Sequence, residues 1–248
     1  MKKIIFFGLI AFLLAAVWQL PLSIAQPYLE KTVKGLSLGP TSGTIWNGEA
    51  KEFTLNNNSL GEVNWKIQLL KSLTSFKLKS YFKVQGKDIN AEGIAGIGTN
   101  KQLSFDDTTF DINSDYINKL QKNAKLSGNI TGDISHATLS EKEVPQIKGI
   151  IDWKDGALSS PIKLGPGNYK AIVSPLSGDL DIKLSSNEAP IDLSGDIKLI
   201  KDWTYSTNIS AKSSEPGIAA MLNLAGKKQA NGSVTIVNKG DLSPFITP

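Results

Sequence analysis

Beyond residue 26 the chain alternates apolar and polar positions with a period of two. In "VNWKIQL", Val63, Trp65, Ile67 and Leu69 share one parity, and polar residues fill most of the gaps. "GDLDIKL" does the same with Leu180, Ile182 and Leu184. "IDLSGDIKL" continues it with Ile191, Leu193, Ile197 and Leu199, and "WTYSTNISA" with Trp203, Tyr205, Thr207 and Ile209. Strict alternation predicts half-buried strands, because successive side chains leave a strand on opposite faces. A clean in/out pattern predicts antiparallel pairing with one face in water. The stretches "NNNS", "GK", "GPGN" and "SSNEAP" read as turns between the runs. The pattern therefore predicts an all-β protein built on an extended, curved antiparallel β-sheet with a few short helices.

Three segments break the alternation towards helical spacing. "QPYLEKTVKG" predicts a short helix stopped by Gly35. "SDYINKLQKN" predicts one capped by Ser114. "EPGIAAMLNLAG" predicts the best of them, with Pro216 near its start and Gly226 as its stop.

The N-terminus reads "MKKIIFFGLIAFLLAAVWQLPLSIAQP". Two lysines precede an apolar run from Ile4 to Trp18, with polar breaks at Gln19 and Ser23. A signal peptide needs a charged start, an apolar run and a small-residue cleavage site, which Ser23-Ile24-Ala25 supplies. A membrane helix needs about 20 mostly apolar residues, and residues 4–25 supply that length. Composition leaves both readings of residues 1–25 open. In either, Lys2 and Lys3 stay on the cytoplasmic side and residues 26–248 are exported.

A weak internal repeat runs through the exported part. "GTIWNGEAKEFTL" aligns with "GNITGDISHATL", and "LGEVNWK" aligns with "IKGIIDWKDG". Gly61 then matches Gly149, and Trp65 matches Trp153. The reading is two similar modules, about 43–113 and 128–211, followed by a helix–strand element. Trp46 falls opposite Thr131, so the glycines recur and the tryptophan does not. Recurring glycines mark places where the backbone turns or bulges.

Charge and composition narrow the chemistry. The net charge is +4, and all 27 basic residues are lysine. Nucleic-acid readers rely on arginine for bidentate contacts, so these scattered lysines read as solvation and not as a nucleic-acid surface. With no cysteine and one histidine, His136, disulfides, thiolate catalysis and a Cys/His metal site are out of reach. "GIAGIGTN" is followed by another alternating run, which a dinucleotide-binding loop would not be. Asp106-Asp107 reads as a turn or an exposed edge, and "NNS" at Asn57–Ser59 as a turn. No cofactor, metal or catalytic residue is expected, and the reading is non-enzymatic.

Taken in order, four stretches carry a resemblance: "AAVWQLPLSIAQPYL", "GTIWNG", "LGEVNWK" with its echo "IKGIIDWKDG", and "PGIAAMLNLAGKKQANGSVTIVNKG". Together they resemble the type II secretion system protein N family, although the lack of arginine departs from its pattern. The resemblance implies a single-pass inner-membrane protein with a cytoplasmic N-terminus and a large periplasmic β-rich domain. It implies an accessory, scaffolding role in protein secretion, with other secretion-system proteins and inner-membrane lipid as partners. It favours an uncleaved anchor over a signal peptide. An alternative is a bridge-type lipid-transfer protein resembling the AsmA family, whose apolar face stays open along its length.

The candidate structural or partner-contact motif is Gly43, Thr44, Ile45, Trp46 and Gly48, together with Trp65 and Trp153. Trp46 has two readings. As a core residue capping the first hairpin, its loss costs about 3–5 kcal/mol. As an interface anchor, its loss spares the fold and affects assembly alone.

Overall fold

The computed structural model describes residues 17–121, 123–141, 143–160 and 163–243. The membrane-segment expectation falls largely on residues 1–16, outside these. No helix among the described residues is long and apolar enough to cross a membrane. The described residues make an all-β fold of fifteen antiparallel strands with four short helices. Contacts divide the chain into two compact units, one ending at Glu92 and the other beginning at Gly93.

The first unit holds helix α1 (Leu22–Thr32) and strands β1 (Leu36–Leu38), β2 (Thr41–Gly43), β3 (Asn47–Leu55) and β4 (Asn58–Ile67). Helix α2 (Leu69–Ser75) and strand β5 (Lys77–Gln85) follow, and β6 (Ile89–Gly98) runs past the division at Glu92. Strands pair in the order β1-β3-β4-β5, with β2 also on β3. The β3–β4 hairpin turns on Asn56 and Asn57, both with positive φ (49° and 64°). This is the conformation a two-residue turn needs to match strand twist, and asparagine tolerates it. The turn reading of "NNNS" holds. Ala50, Val63 and Leu38 are buried where β1, β3 and β4 pair, and Leu22 of α1 is also buried, at 1% exposure.

The second unit holds β7 (Leu103–Asn113), helix α3 (Ser114–Leu120), β8 (Lys125–Leu139), β9 (Gln146–Ser160) and β10 (Leu164–Leu176). These are followed by β11 (Asp179–Asn187), β12 (Asp192–Leu199), β13 (Thr204–Lys212), helix α4 (Pro216–Ala225), β14 (Lys227–Lys228) and β15 (Val234–Asp241). The order is β7-β8-β9-β10-β11-β12-β13-β15-β14. Consecutive strands are neighbours until α4 intervenes, so short turns set most of the pairing.

Several local expectations shift. Helix α1 starts four residues earlier than Gln26, at Leu22, and accepts Pro27 inside it. Helix α3 is capped by Asn113, whose side chain accepts from the Asp115 N–H at 2.9 Å. Ser114 is instead buried, donating to the Gly128 carbonyl at 2.6 Å. "GPGN" is no turn: it lies within β10, where the register against β9 shifts on both sides of Gly167. A bulge accommodates a proline there, since the ladder hydrogen bond it cannot donate is already lost. Asp106 is likewise mid-strand, paired with His136. The alternation in "VNWKIQL" ends at Ile67, and Leu69 opens α2.

Candidate functional site

The first unit carries the glycine-bracketed stretch at the tip between β2 and β3. Gly43 pairs with Gly48, and the Thr44 N–H donates to the Asn47 carbonyl at 2.9 Å. Thr44 Oγ1 accepts from the backbone N–H groups of Trp46 (3.3 Å) and Asn47 (3.2 Å), which closes the loop from inside. Gly43 has φ +81°, and a Cβ there would stand 2.4 Å from the Asn47 carbonyl oxygen. A Cβ on Gly48 would meet the Trp65 ring at 2.6 Å. Trp65 lies beneath the loop and donates its indole N–H to the Ile45 carbonyl at 3.1 Å. Both glycines are thus required by close approach, and Trp46 is presented at the tip of a braced loop.

The tip holds the chain that arrives from the N-terminal apolar run. Trp46 donates its indole N–H to the Val17 carbonyl at 2.9 Å and stacks on Trp18, with ring centroids 6.1 Å apart and planes 21° apart. The Ile45 N–H donates to the Leu20 carbonyl at 3.3 Å, and Pro21 bridges Thr44. Behind it, Gln26 of α1 donates to the Leu38 carbonyl at 2.8 Å and accepts from Thr41 Oγ1 at 2.9 Å. Glu30 accepts from the Leu38 N–H at 2.7 Å and from Gln26 at 3.1 Å. The Leu38 N–H, and then Gln26, hold the Glu30 carboxyl below its ordinary value. Trp46 itself is half-buried, and its polar atom is spent on its own chain.

Next to this clasp lies helix α2, which the sequence reading passed over. Ser72 anchors one side: its hydroxyl donates to the Gln68 carbonyl at 2.8 Å and accepts from the Lys79 N–H at 2.9 Å. Leu70 (82% exposed), Leu73 (73%) and Phe76 (86%) stand in solvent. Phe76 ends the helix at φ 52°, a left-handed conformation costly for a bulky residue. A cavity of about 460 Å³ opens between α2 and the clasp, lined by Trp18, Trp46, Lys66, Leu69 and Leu70 among others. The signal in the sequence was a second leucine at position 70, which breaks the alternation, and the spacing of Leu70 to Leu73.

Trp153 belongs to the second unit. It donates its indole N–H to the Ser127 carbonyl at 2.9 Å and packs on Tyr169, with centroids 5.4 Å apart. In the first unit Gly48 stands opposite Trp65, whereas in the second Trp153 stands opposite Ile130 and Gly132 opposite Ile151.

The second unit also has a feature that only register reveals. Gly132, Ile151, Ala171, Leu184, Gly195, Ile209 and Ile236 form one row across seven strands. The next row, one residue along each strand, is Thr131, Asp152, Lys170, Ser185, Ser194, Ser210 and Thr235. Apolar and polar rows face opposite sides of the sheet. The buried cluster of Val144, Val173 and Leu180 covers part of the apolar side. Ile151, Leu184, Ile209 and Ile236 remain half-exposed.

Conventional catalytic chemistry has little to build on. His136 Nδ1 lies 2.6 Å from Asp106 Oδ1, and the imidazole is exposed. Among the described residues no group of three His, Asp or Glu side chains is placed to hold a metal.

No curated protein and no solved structure matches the chain. The family described as type II secretion system (T2SS), protein N, matches residues 34–237. That span takes in the braced loop with Trp46, the strand of Trp65, the strand of Trp153, helix α4 and the first half of β15. With the match covering well over half of its length, the chain belongs to the type II secretion system protein N family.

Proposed function

We propose that the protein is a non-enzymatic accessory component of the type II secretion machine, held in the inner membrane by its N-terminal segment with its β-rich part in the periplasm. The family match over residues 34–237 carries this reading. The clasp supports the anchored topology. A loop braced by two obligatory glycines grips the backbone at Val17 and Leu20, where an apolar run would leave the bilayer. An indole at that level is in keeping with the preference of tryptophan for the headgroup region. Trp18, Trp46 and the residues they hold would fix the angle at which the periplasmic part leaves the membrane, which a scaffold requires. Deleting the gene in its host tests the role. Exoproteins should accumulate in the periplasm and return to the medium with a plasmid copy, and unimpaired secretion would sink the reading.

The half-exposed apolar row of the second unit favours a second reading, in which that face binds acyl chains. An amphipathic sheet leaves apolar surface in water unless a partner or lipid covers it. Leu184→Asp puts a charge in that row. Phospholipid that copurifies with the wild type and is lost in Leu184→Asp would support the lipid reading. Equal lipid in both would remove it.

A further inference from the structure

We infer that helix α2 lies on the surface of an anionic phospholipid bilayer, a second membrane contact beside the N-terminal segment. The inference rests on the anchored reading above. Three observations carry it. Leu70, Leu73 and Phe76 are the most exposed large apolar side chains among the described residues of the first unit, at 73–86%. All three lie on or directly after α2, which the Ser72 hydroxyl ties to the Lys79 N–H of β5. Three such side chains in water cost free energy in proportion to their area, and a bilayer interface relieves that cost.

The second observation is position. The groove beside α2 is lined by Trp18 as well as Leu70. Trp18 ends the apolar run that begins at Ile4. If that run crosses the bilayer, Trp18 sits at headgroup depth, and α2 shares the cavity with it. The third is charge. From Val63 to Lys77 the chain carries Lys66, Lys71 and Lys77 and no acidic residue. Lys66 and Lys71 line the groove itself. Basic groups flanking exposed apolar ones are the composition that anionic lipid headgroups attract. A protein partner of ordinary surface chemistry would not require this one-sided charge.

The chain has no cysteine, so single cysteines report single sites. Leu70→Cys, Leu73→Cys, Ile10→Cys and Lys87→Cys would each be labelled with an environment-sensitive nitrobenzoxadiazole dye. The full chain would be reconstituted into vesicles of phosphatidylethanolamine and phosphatidylglycerol containing spin-labelled lipid. Lys87 follows the far end of nine-residue β5, roughly 30 Å from α2 at strand rise, and serves as the water-exposed control. The expected result is a blue shift and quenching at positions 70, 73 and 10, with neither at 87. Quenching at 70 and 73 should weaken in phosphatidylcholine and in a Lys71→Gln background. Quenching at 10 with water-like emission at 70 and 73 overturns this inference alone. Water-like, unquenched emission at all three overturns the anchored reading as well. A blue shift at 73 that grows with protein density and is not quenched by lipid assigns the face to a second copy of the chain, and also overturns it.

Discussion

Gly43 and Gly48 are the residues on which the clasp depends, and their substitution separates strain from packing. Gly43→Ala places a Cβ in left-handed backbone and against the Asn47 carbonyl. Gly178 has a similar φ of +93° with nothing near it, so Gly178→Ala meets the conformational cost alone, about 1–2 kcal/mol. Gly43→Ala should exceed that in chemical denaturation of the full chain in detergent; equal losses would mean the loop is not braced as described. Trp46 makes one ring stack and one hydrogen bond while half-exposed. Those are worth about 0.5–1.5 kcal/mol each. Trp46→Ala should therefore cost about 1–3 kcal/mol, at or below the low end for a core tryptophan. A loss above about 3 kcal/mol, in the range of core truncations, would restore the core reading. The glycines were legible in the sequence because they recur. The partner of Trp46 was not, since the Val17 carbonyl is 29 residues away and nothing local points to it.

Among the elements, α1 docks on β1 through Glu30 and Gln26, and the docking titrates. The Glu30 carboxylate accepts the Leu38 N–H, so its folded value lies below the ordinary 4.5. A carboxyl depressed on folding stabilises the docked helix fully above its ordinary value. That contribution fades as pH falls through the lower folded value. Amide exchange at Leu38 should accelerate on acidification through this window, relative to the unfolded-chain rate. In Glu30→Gln, which keeps an acceptor without a titration, the acceleration should vanish; if it persists, Glu30 is not its source. Helix α4 was legible from Pro216 and Gly226, whose effects are local. Helix α2 was harder to see, because its only mark is Leu70 breaking the alternation and seven residues are too few for a clear helical period. "GPGN" misled for the opposite reason: glycine and proline punctuate a bulge as readily as a turn, and pairing decides between them.

At the scale of the whole molecule, the second unit is an amphipathic sheet whose sidedness is set by register. A slip of one residue would exchange the row through Leu184 for the row through Ser185. Leu184→Asp should lower stability by about 1–3 kcal/mol, the usual range for a poorly tolerated substitution, while Ser185→Asp stays within about 0.5 kcal/mol. Equal effects would mean the two faces are not distinguished as the register assigns them. Ordered by hydrogen-bonded pairing, β1 and β14 each have a single partner, and both are short, at three and two residues. β14 covers only Val234 and Thr235, so residues 236–241 of β15 pair with β13 alone and leave an edge that another strand could extend.

The alternating runs determined by themselves that the chain is all-β and antiparallel, which residues share a face within most of each run, and where the Asn56-Asn57 turn falls. Each follows from the stereochemistry of a few consecutive residues. Only the tertiary structure decided that apolar parities of seven strands meet in one row, that Trp46 closes on Val17, and that Trp153 stands opposite Ile130. These are pairings between segments distant in sequence. They are chosen by the packing and hydrogen bonding of the assembled sheet, which no single segment contains.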